Sequence, residues 1–186
     1  MKAPLAACRS GVKACLIALL LVSARPAFAQ EQPAGSAAAP GCGPAKIEFD
    51  VKTEKQHPVT QPAPGKAIVY FLQDDARFES RPRPTTRFGL DGAWVGATQS
   101  NSYFYVSVDP GEHHACANWQ NFVGFGTRST AAMHFMAEAG GVYYLRARDV
   151  FYRNRPPAVV ELTSLDGDEA QLLMSMFSFS TSHPKK

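Results

Sequence analysis

The stretch that decides the fold is Arg87–Trp119, which reads RFGLDGAWVGATQSNSYFYVSVDPGEHHACANW. Apolar and polar residues alternate along it, and turn residues interrupt it at Asp91–Gly92 and at Asp109–Gly111. Alternation with a period of two is typical of β-strands with one buried face, and Asp-Gly is a strong signal for a hairpin turn. The stretch therefore predicts a small antiparallel β domain.

Similar segments flank this stretch on both sides. Residues 47–51 alternate between apolar and charged side chains, whereas residues 67–72 form a continuous apolar run, as in a central strand covered on both faces. Residues 131–137 and 142–148 surround Gly140–Gly141 and predict another hairpin, and residues 158–162 predict a last strand. About eight strands result, which favours a mainly β fold, an antiparallel β-sandwich, over a closed barrel.

One α-helix is predicted near the C-terminus. Asp166 can cap its first turn, and Glu169 follows three residues later, as in a capping box. Apolar residues at helical spacing then define the face that we expect to pack on the sheet. These residues are Leu172, Leu173, Met176 and Phe177.

Residues 1–29 predict a cleaved signal peptide. They combine a positively charged start, an apolar run of nine residues over Ala14–Val22, and the pattern Ala27–Ala29 at which a signal peptidase cuts. An uncleaved membrane anchor is the alternative, which Arg25 and Pro26 disfavour because they interrupt any longer apolar helix. We therefore expect a periplasmic or secreted protein, cleaved after Ala29, that meets the membrane only through its transient signal peptide.

The predicted processing changes the charge of the chain. The full sequence has 19 basic and 16 acidic residues, but four of the basic residues and none of the acidic ones lie in the signal peptide. The mature chain then has a net charge of −1, so its composition gives no argument for a nucleic-acid partner. Residues 30–46 predict a flexible linker, 47–177 the sandwich domain with its helix, and 178–186 a disordered polar tail.

Two cysteines remain after processing, Cys42 and Cys116. An even pair in an oxidising compartment predicts a disulfide, which would stabilise the fold by about 4 kcal/mol in the chain-entropy model. Cys116 is expected on the outer face of its strand, so the bridge would strap the N-terminal arm across the outside of the sheet. A redox or metal-binding thiol pair is the alternative, although neither cysteine belongs to a C-x-x-C motif.

The same alternation places four large side chains on faces opposite to the core: Arg87, Trp94, Tyr103 and Tyr105. Aromatic rings on an exposed strand face can stack on sugars or peptides, so these residues are the candidate ligand-binding site. Alternatively, the N-terminal strand or the C-terminal helix covers them. We favour this alternative because large exposed aromatic patches are uncommon on monomers.

The sequence predicts no metal site, no cofactor and no enzymatic activity. His113 and His114 are adjacent, so on a strand they face opposite sides, and His134 has no local ligand spacing. No G-x-S-x-G motif occurs, and most acidic residues lie in turns or loops, where Asp makes local hydrogen bonds. The alternative is a small extracytoplasmic hydrolase or metal-dependent enzyme with an unrecognised site.

Three segments together carry a family resemblance: Gly65–Tyr70 (GKAIVY), Val108–His113 (VDPGEH) and Ala137–Tyr144 (AEAGGVYY). Their order and spacing resemble the bacterial domain-of-unknown-function family 2846 over about residues 64–163, and the Pro-Gly-x-His turn is similar to the PEGA repeats. The resemblance implies a prealbumin-like sandwich in an exported protein and carries no catalytic residues. We therefore expect a non-enzymatic cell-envelope module whose partner is a protein or a glycan.

Overall fold

The fold is taken from a computed structural model that describes residues 41–79, 81–120 and 129–186, except for the side chains of residues 155–157. The predicted signal peptide and the predicted linker up to residue 40 lie outside these residues. None of the helical segments in the described ranges has the length and apolar character that crossing a membrane requires. The elements follow in the order β1 (Phe49–Glu54), β2 (Ala67–Phe78), β3 (Thr85–Leu90), β4 (Ala93–Gln99), β5 (Ser102–Val108), β6 (Gly111–Trp119), β7 (Thr130–Ala137), β8 (Val142–Tyr152), β9 (Arg155–Leu165), α1 (Gly167–Met176) and β10 (Ser178–Pro184).

The strands form two sheets that pack against each other. One has six strands in the order β1-β10-β5-β2-β8-β9, and the other has four in the order β4-β3-β6-β7. Apolar side chains from both sheets meet in the core between them, Phe71 and Phe88 with ring centroids 5.1 Å apart. The predicted β-sandwich with one C-terminal helix is confirmed. The described residues contain ten strands rather than eight, and two pairings, β2 with β8 and β5 with β10, are parallel.

The stretch 87–119 passes between the sheets twice. Asp91 and Gly92 join β3 to β4 with φ angles of 51° and 84°, the left-handed conformations that the predicted two-residue turn requires. β5 then belongs to the six-stranded sheet, and β6 returns to the four-stranded one. The alternating stretch therefore contributes residues to the outer faces of both sheets, and these two faces lie on opposite sides of the sandwich.

The predicted hairpin of residues 131–137 and 142–148 is wrong, because here too the chain passes from one sheet to the other. Each segment forms a strand, but β7 pairs with β6 in one sheet and β8 pairs with β2 in the other. The turn at Gly140 is held by a backbone hydrogen bond from its N–H to Lys66 O, at the start of β2. The turn therefore carries the chain between sheets instead of folding it back on the same one.

β2 is the central strand that its continuous apolar run predicts. Val69 and Phe71 point into the core between the sheets, whereas Ile68, Tyr70 and Leu72 belong to a second apolar cluster on the other side of the strand. The second cluster includes residues of α1 and of the segment that follows it. Both faces of β2 are therefore buried.

α1 begins as predicted, and its predicted packing face is right in part. Asp166 caps it by accepting hydrogen bonds from the backbone N–H groups of Asp168 and Glu169. Leu172 and Met176 are 62% and 64% exposed, so the predicted packing face is wrong at these two residues. Leu173 and Phe177 pack against the sheet as predicted. Four residues of α1 and its C-terminal cap face the sheet. They are Ala170, Leu173, Met174 and Phe177.

The prediction of a disordered tail over residues 178–186 is corrected as well. β10 pairs antiparallel with β1 from Phe179 to Pro184 and parallel with β5 at Ser178 and Phe179. Ser180 is 2% exposed, and its hydroxyl donates to the Ser102 hydroxyl across 2.9 Å. Because β10 lies between two strands, its backbone hydrogen bonds order it although its side chains are mostly polar.

Candidate functional site

The structure contains the predicted disulfide between Cys42 and Cys116, whose Cα atoms are 5.1 Å apart. The bridge holds residues 41–47, called the strap here, against the outer face of the four-stranded sheet. Gly89 lies directly beneath the strap, where an added Cβ would collide with the carbonyl oxygen of Gly41. The prediction of a flexible linker is thus corrected for residues 41–46, because covalent attachment and close backbone contact fix them.

Two of the four predicted ligand-binding residues lie under this strap. The indole N–H of Trp94 donates to Pro44 O across 2.7 Å, and the Arg87 guanidinium lies 4.3 Å from the centroid of the indole ring. Arg87 is only 3% exposed, and it donates to the carbonyl oxygens of Ala45 and Ile47 in the strap. These contacts use both side chains to hold the strap in place.

The other two predicted residues, Tyr103 and Tyr105, lie on the opposite side of the sandwich. They point out of β5 on the outer face of the six-stranded sheet, where they join the apolar cluster beneath α1. Tyr103 is 2% exposed. The structure therefore does not bring the four residues into one site.

A row of tyrosines crosses the six-stranded sheet under α1. The strand register puts Tyr105, Tyr70 and Tyr144 side by side on β5, β2 and β8. The Tyr70 ring stacks on Tyr144 with centroids 5.2 Å apart and planes 20° apart, and it meets the Tyr105 ring at 5.5 Å. Parallel and antiparallel pairing on either side of β2 thus align three phenol groups that are far apart in sequence.

Tyr70, Tyr103 and Tyr144 line an open cleft of about 580 Å³, called the tyrosine cleft here. The outer face of the sheet forms its floor, the segment between β1 and β2 forms one wall, and α1 forms the other. Ligand pockets for small molecules commonly have this volume and combine aromatic walls with a few polar groups. The lining residues are His57, Pro58, Val59, Thr60, Tyr70, Tyr103, Tyr144, Gln171, Met174 and Ser175.

Burial raises the pKa of two phenol groups of the cleft, those of Tyr70 and Tyr103. Desolvation is the main cause that raises the pKa of Tyr70, and the neighbouring Tyr144, Tyr103 and Tyr105 raise it further. Desolvation and then Tyr105 raise the pKa of Tyr103 in the same way. The hydroxyl groups of Tyr70 and Tyr103 are thus neutral at physiological pH and can both donate and accept hydrogen bonds.

Some polar groups of the cleft have hydrogen-bond partners within the protein, and others do not. The Tyr103 hydroxyl lies 3.0 Å from Nδ1 of His57, so the phenol and the imidazole hold each other in position. Within the described part of the chain, the hydroxyls of Tyr70 and Tyr144 have no hydrogen-bond partner. The cleft therefore offers two phenol groups to a ligand, together with the Gln171 amide from α1.

Sequence reasoning identified Tyr103 and missed the rest of the cleft. The two-residue period of a strand already places Tyr70 and Tyr144 on the same face as the residues two positions away in β2 and β8. Joining them to Tyr103, however, requires the order of the strands in the sheet. Local pattern does not contain that order, because β2 and β8 are separated by five other strands along the chain.

Comparison with known proteins gives one family match. The model of the family described as "Protein of unknown function (DUF2846)" matches residues 63–160, which include β2 to β8 and the first half of β9. No curated protein and no solved structure matches the chain. The matched range covers more than half of the sequence and contains the segments that carried the resemblance. The chain therefore belongs to the DUF2846 family.

Proposed function

We propose that the protein is an exported, non-enzymatic binding module of the cell envelope, and that the tyrosine cleft holds part of a glycan. The observation that carries the proposal is the convergence of Tyr70, Tyr103 and Tyr144 on one cleft of about 580 Å³. Tyr144 is only half-buried, so the open part of its ring can contact the C–H side of a sugar, while the phenol hydroxyls and the rim groups bind sugar hydroxyls.

The dimensions of the cleft favour a glycan over a protein as the ligand. A stable protein partner typically covers about 800 Å² on each side, with aromatic anchors near the centre of an open surface. Here the aromatic residues lie at the bottom of a recess between α1 and residues 57–60. A narrow ligand with alternating apolar and hydroxyl surfaces fits such a recess better than a flat protein surface does.

The chemistry of the lining supports binding without turnover. Among the described side chains that line the cleft, the polar groups are phenol, imidazole, amide and hydroxyl. Glycoside hydrolysis typically uses two carboxyl groups on either side of the scissile bond, and the lining of this cleft supplies neither. Export is supported by the predicted signal peptide and by the Cys42–Cys116 bridge, a type of crosslink that persists in oxidising compartments.

The experiment is a calorimetric titration of the mature protein with a panel of neutral and N-acetylated oligosaccharides. We expect saturable binding to at least one glycan, and we expect Tyr144→Phe and Gln171→Ala to weaken it about tenfold each, the effect of one lost hydrogen bond. Trp94→Phe is the control, because it changes an aromatic residue on the opposite sheet. The proposal is overturned when no glycan binds, or when binding survives both cleft variants unchanged.

The same samples test the enzymatic alternative. Chromatography of the oligosaccharides after long incubation should recover them intact. Shortened products that disappear in the cleft variants would show that the cleft is a catalytic site and that the binding-module proposal is wrong.

A further inference from the structure

The outer face of the four-stranded sheet carries a pair of histidines. The register of β6 and β7 places His114 directly opposite His134, and both side chains are exposed. Their ring centroids are 6.3 Å apart, with an interplanar angle of 50°. A shallow depression of about 300 Å³ lies between them, lined also by Ala132 and Met133.

The separation of the rings is close to that of a metal chelate. Directly opposed residues on antiparallel strands have Cβ atoms about 5 Å apart, so two imidazoles project from the sheet side by side. An ion bound at about 2.0 Å from a ring nitrogen lies about 3.2 Å from the ring centroid, so chelated rings have centroids about 5–6 Å apart. Small side-chain rotations of His114 and His134 reach this distance without any movement of the strands.

The two imidazoles are also available for a ligand. His113, the neighbouring residue, uses both ring nitrogens, Nδ1 with Asp91 at 2.6 Å and Nε2 with the Asp109 carbonyl at 2.8 Å. Over residues 41–79, 81–120 and 129–186, by contrast, the ring nitrogens of His114 and His134 have no hydrogen-bond partner. The register thus separates one structural histidine from two histidines that are free to bind.

The surroundings of the pair agree with metal binding. Glu112 and Met136 form the next cross-strand pair on the same face, so a carboxylate and a thioether lie near the imidazoles. The described residues nevertheless contain no cluster of three or more His, Cys, Asp or Glu that could hold an ion. A site here would therefore have two protein ligands, and water would complete the coordination shell.

We propose that His114 and His134 form a two-histidine surface site for a divalent transition-metal ion of the class that imidazole prefers, Zn²⁺, Cu²⁺ or Ni²⁺. The site lies on the sheet opposite to the tyrosine cleft, so it is independent of the proposed glycan binding. The sequence conceals it because the two residues are 20 positions apart and only the strand register joins them.

The first test is calorimetric titration of the mature protein with ZnCl₂ and with NiCl₂ in a buffer that does not chelate metals. We expect one saturable site, weakened at least tenfold in His114→Ala and in His134→Ala, because a single remaining imidazole no longer chelates. The double variant, which has neither imidazole, should show no saturable binding. His183→Ala, which removes an exposed histidine of β10, is the control and should bind as the wild type does. Absence of saturable binding, or wild-type affinity in either single variant, overturns the proposal.

A second measurement does not depend on the variants. Substoichiometric Cu²⁺ should selectively broaden the imidazole NMR signals of His114 and His134, because paramagnetic broadening falls steeply with distance. Broadening centred on His57 or His183 instead would assign the ion to another place and overturn the proposal.

Discussion

The indole N–H of Trp119 donates to Asp149 Oδ1 across 2.7 Å, and both side chains are fully buried between the sheets. The other carboxyl oxygen of Asp149 accepts from the Gln73 amide at 2.8 Å and from the Thr86 hydroxyl at 3.3 Å. Burial is the main cause that raises the pKa of Asp149 well above its usual range, and the nearby Asp75 raises it further. The core of this sandwich therefore contains an acid that folding favours in its neutral form.

This acid makes stability depend on pH. The folded state raises the pKa of Asp149, so its contribution is fully present below the unfolded value of about 3.9 and is lost as pH rises through the folded value. We expect Asp149→Asn, which cannot ionise, to flatten the decline in the free energy of unfolding as pH rises from about 4 toward 8. Urea denaturation across this range measures the slope. Equal slopes in the two proteins would show that another group causes the dependence.

His113 and Asp91 form a second pH-sensitive pair, at the β3–β4 turn. Burial lowers the pKa of His113, but hydrogen bonds to Asp109 O and to Asp91 outweigh burial, so the net shift is upward. Burial raises the pKa of Asp91, but hydrogen bonds from the His114 backbone N–H and from His113 outweigh burial, so the net shift is downward. The contribution of His113 to the free energy of unfolding is therefore lost as pH rises through the pKa of His113 in the folded state. The contribution of Asp91 is lost as pH falls through the pKa of Asp91 in the folded state.

We expect Asp91→Asn to lower the pKa of His113, since Asn keeps the left-handed turn conformation and removes only the charge. An NMR titration of the His113 imidazole measures this change, and the signal of His183 serves as the internal control. An unchanged His113 titration would show that Asp91 does not set its pKa.

The strap depends on Trp94. Trp94→Ala removes the ring against Arg87 and the hydrogen bond to Pro44 O, so we expect a loss of about 2 kcal/mol in the free energy of unfolding. We also expect faster cleavage by trypsin after Lys46, an exposed residue of the strap. Trp94→Phe keeps the ring and should have a smaller effect. Cleavage at the wild-type rate in Trp94→Ala would mean that the disulfide alone holds the strap.

The C-terminal residues are predicted to be essential for stability. Deletion of Ser178–Lys186 removes β10 and leaves β1 without its partner strand in the six-stranded sheet. We expect a melting temperature lower by at least 10 °C, or failure to fold, because both flanking ladders are lost. Deletion of Lys186 alone is the control. A truncated protein that melts with the wild type would show that these residues are a dispensable tail.

Local sequence pattern predicted which residues form strands and turns, but it did not predict how the strands are arranged. The Asp91–Gly92 turn, the doubly buried β2 and the capping of α1 by Asp166 follow from conformational preferences within a few residues. Whether β5 joins β4 or lies in the other sheet depends on long-range pairing instead. For that reason Trp94 and Tyr103, nine residues apart, were placed together and lie on opposite sides of the sandwich.

Two other differences have the same origin. The side chains of β10 are mostly polar, and backbone hydrogen bonds hold the strand between β1 and β5. A hydrophobic pattern therefore does not reveal this strand in the sequence. The tyrosine cleft requires Tyr70 and Tyr144 on adjacent strands, and these residues are adjacent only through a parallel pairing. In both cases the deciding contacts are between segments far apart in the chain.

The bridge between Cys42 and Cys116 also determines how the domain responds to mechanical force. Tension applied to the chain ahead of Cys42 passes through the covalent bond into β6, an interior strand of the four-stranded sheet. β1 lies beyond this point and is not loaded, so its hydrogen bonds to β10 are not pulled apart one after another. The oxidised domain therefore resists pulling from its N-terminal side through the shear strength of a central strand, whereas reduction transfers the load to the weaker edge strand.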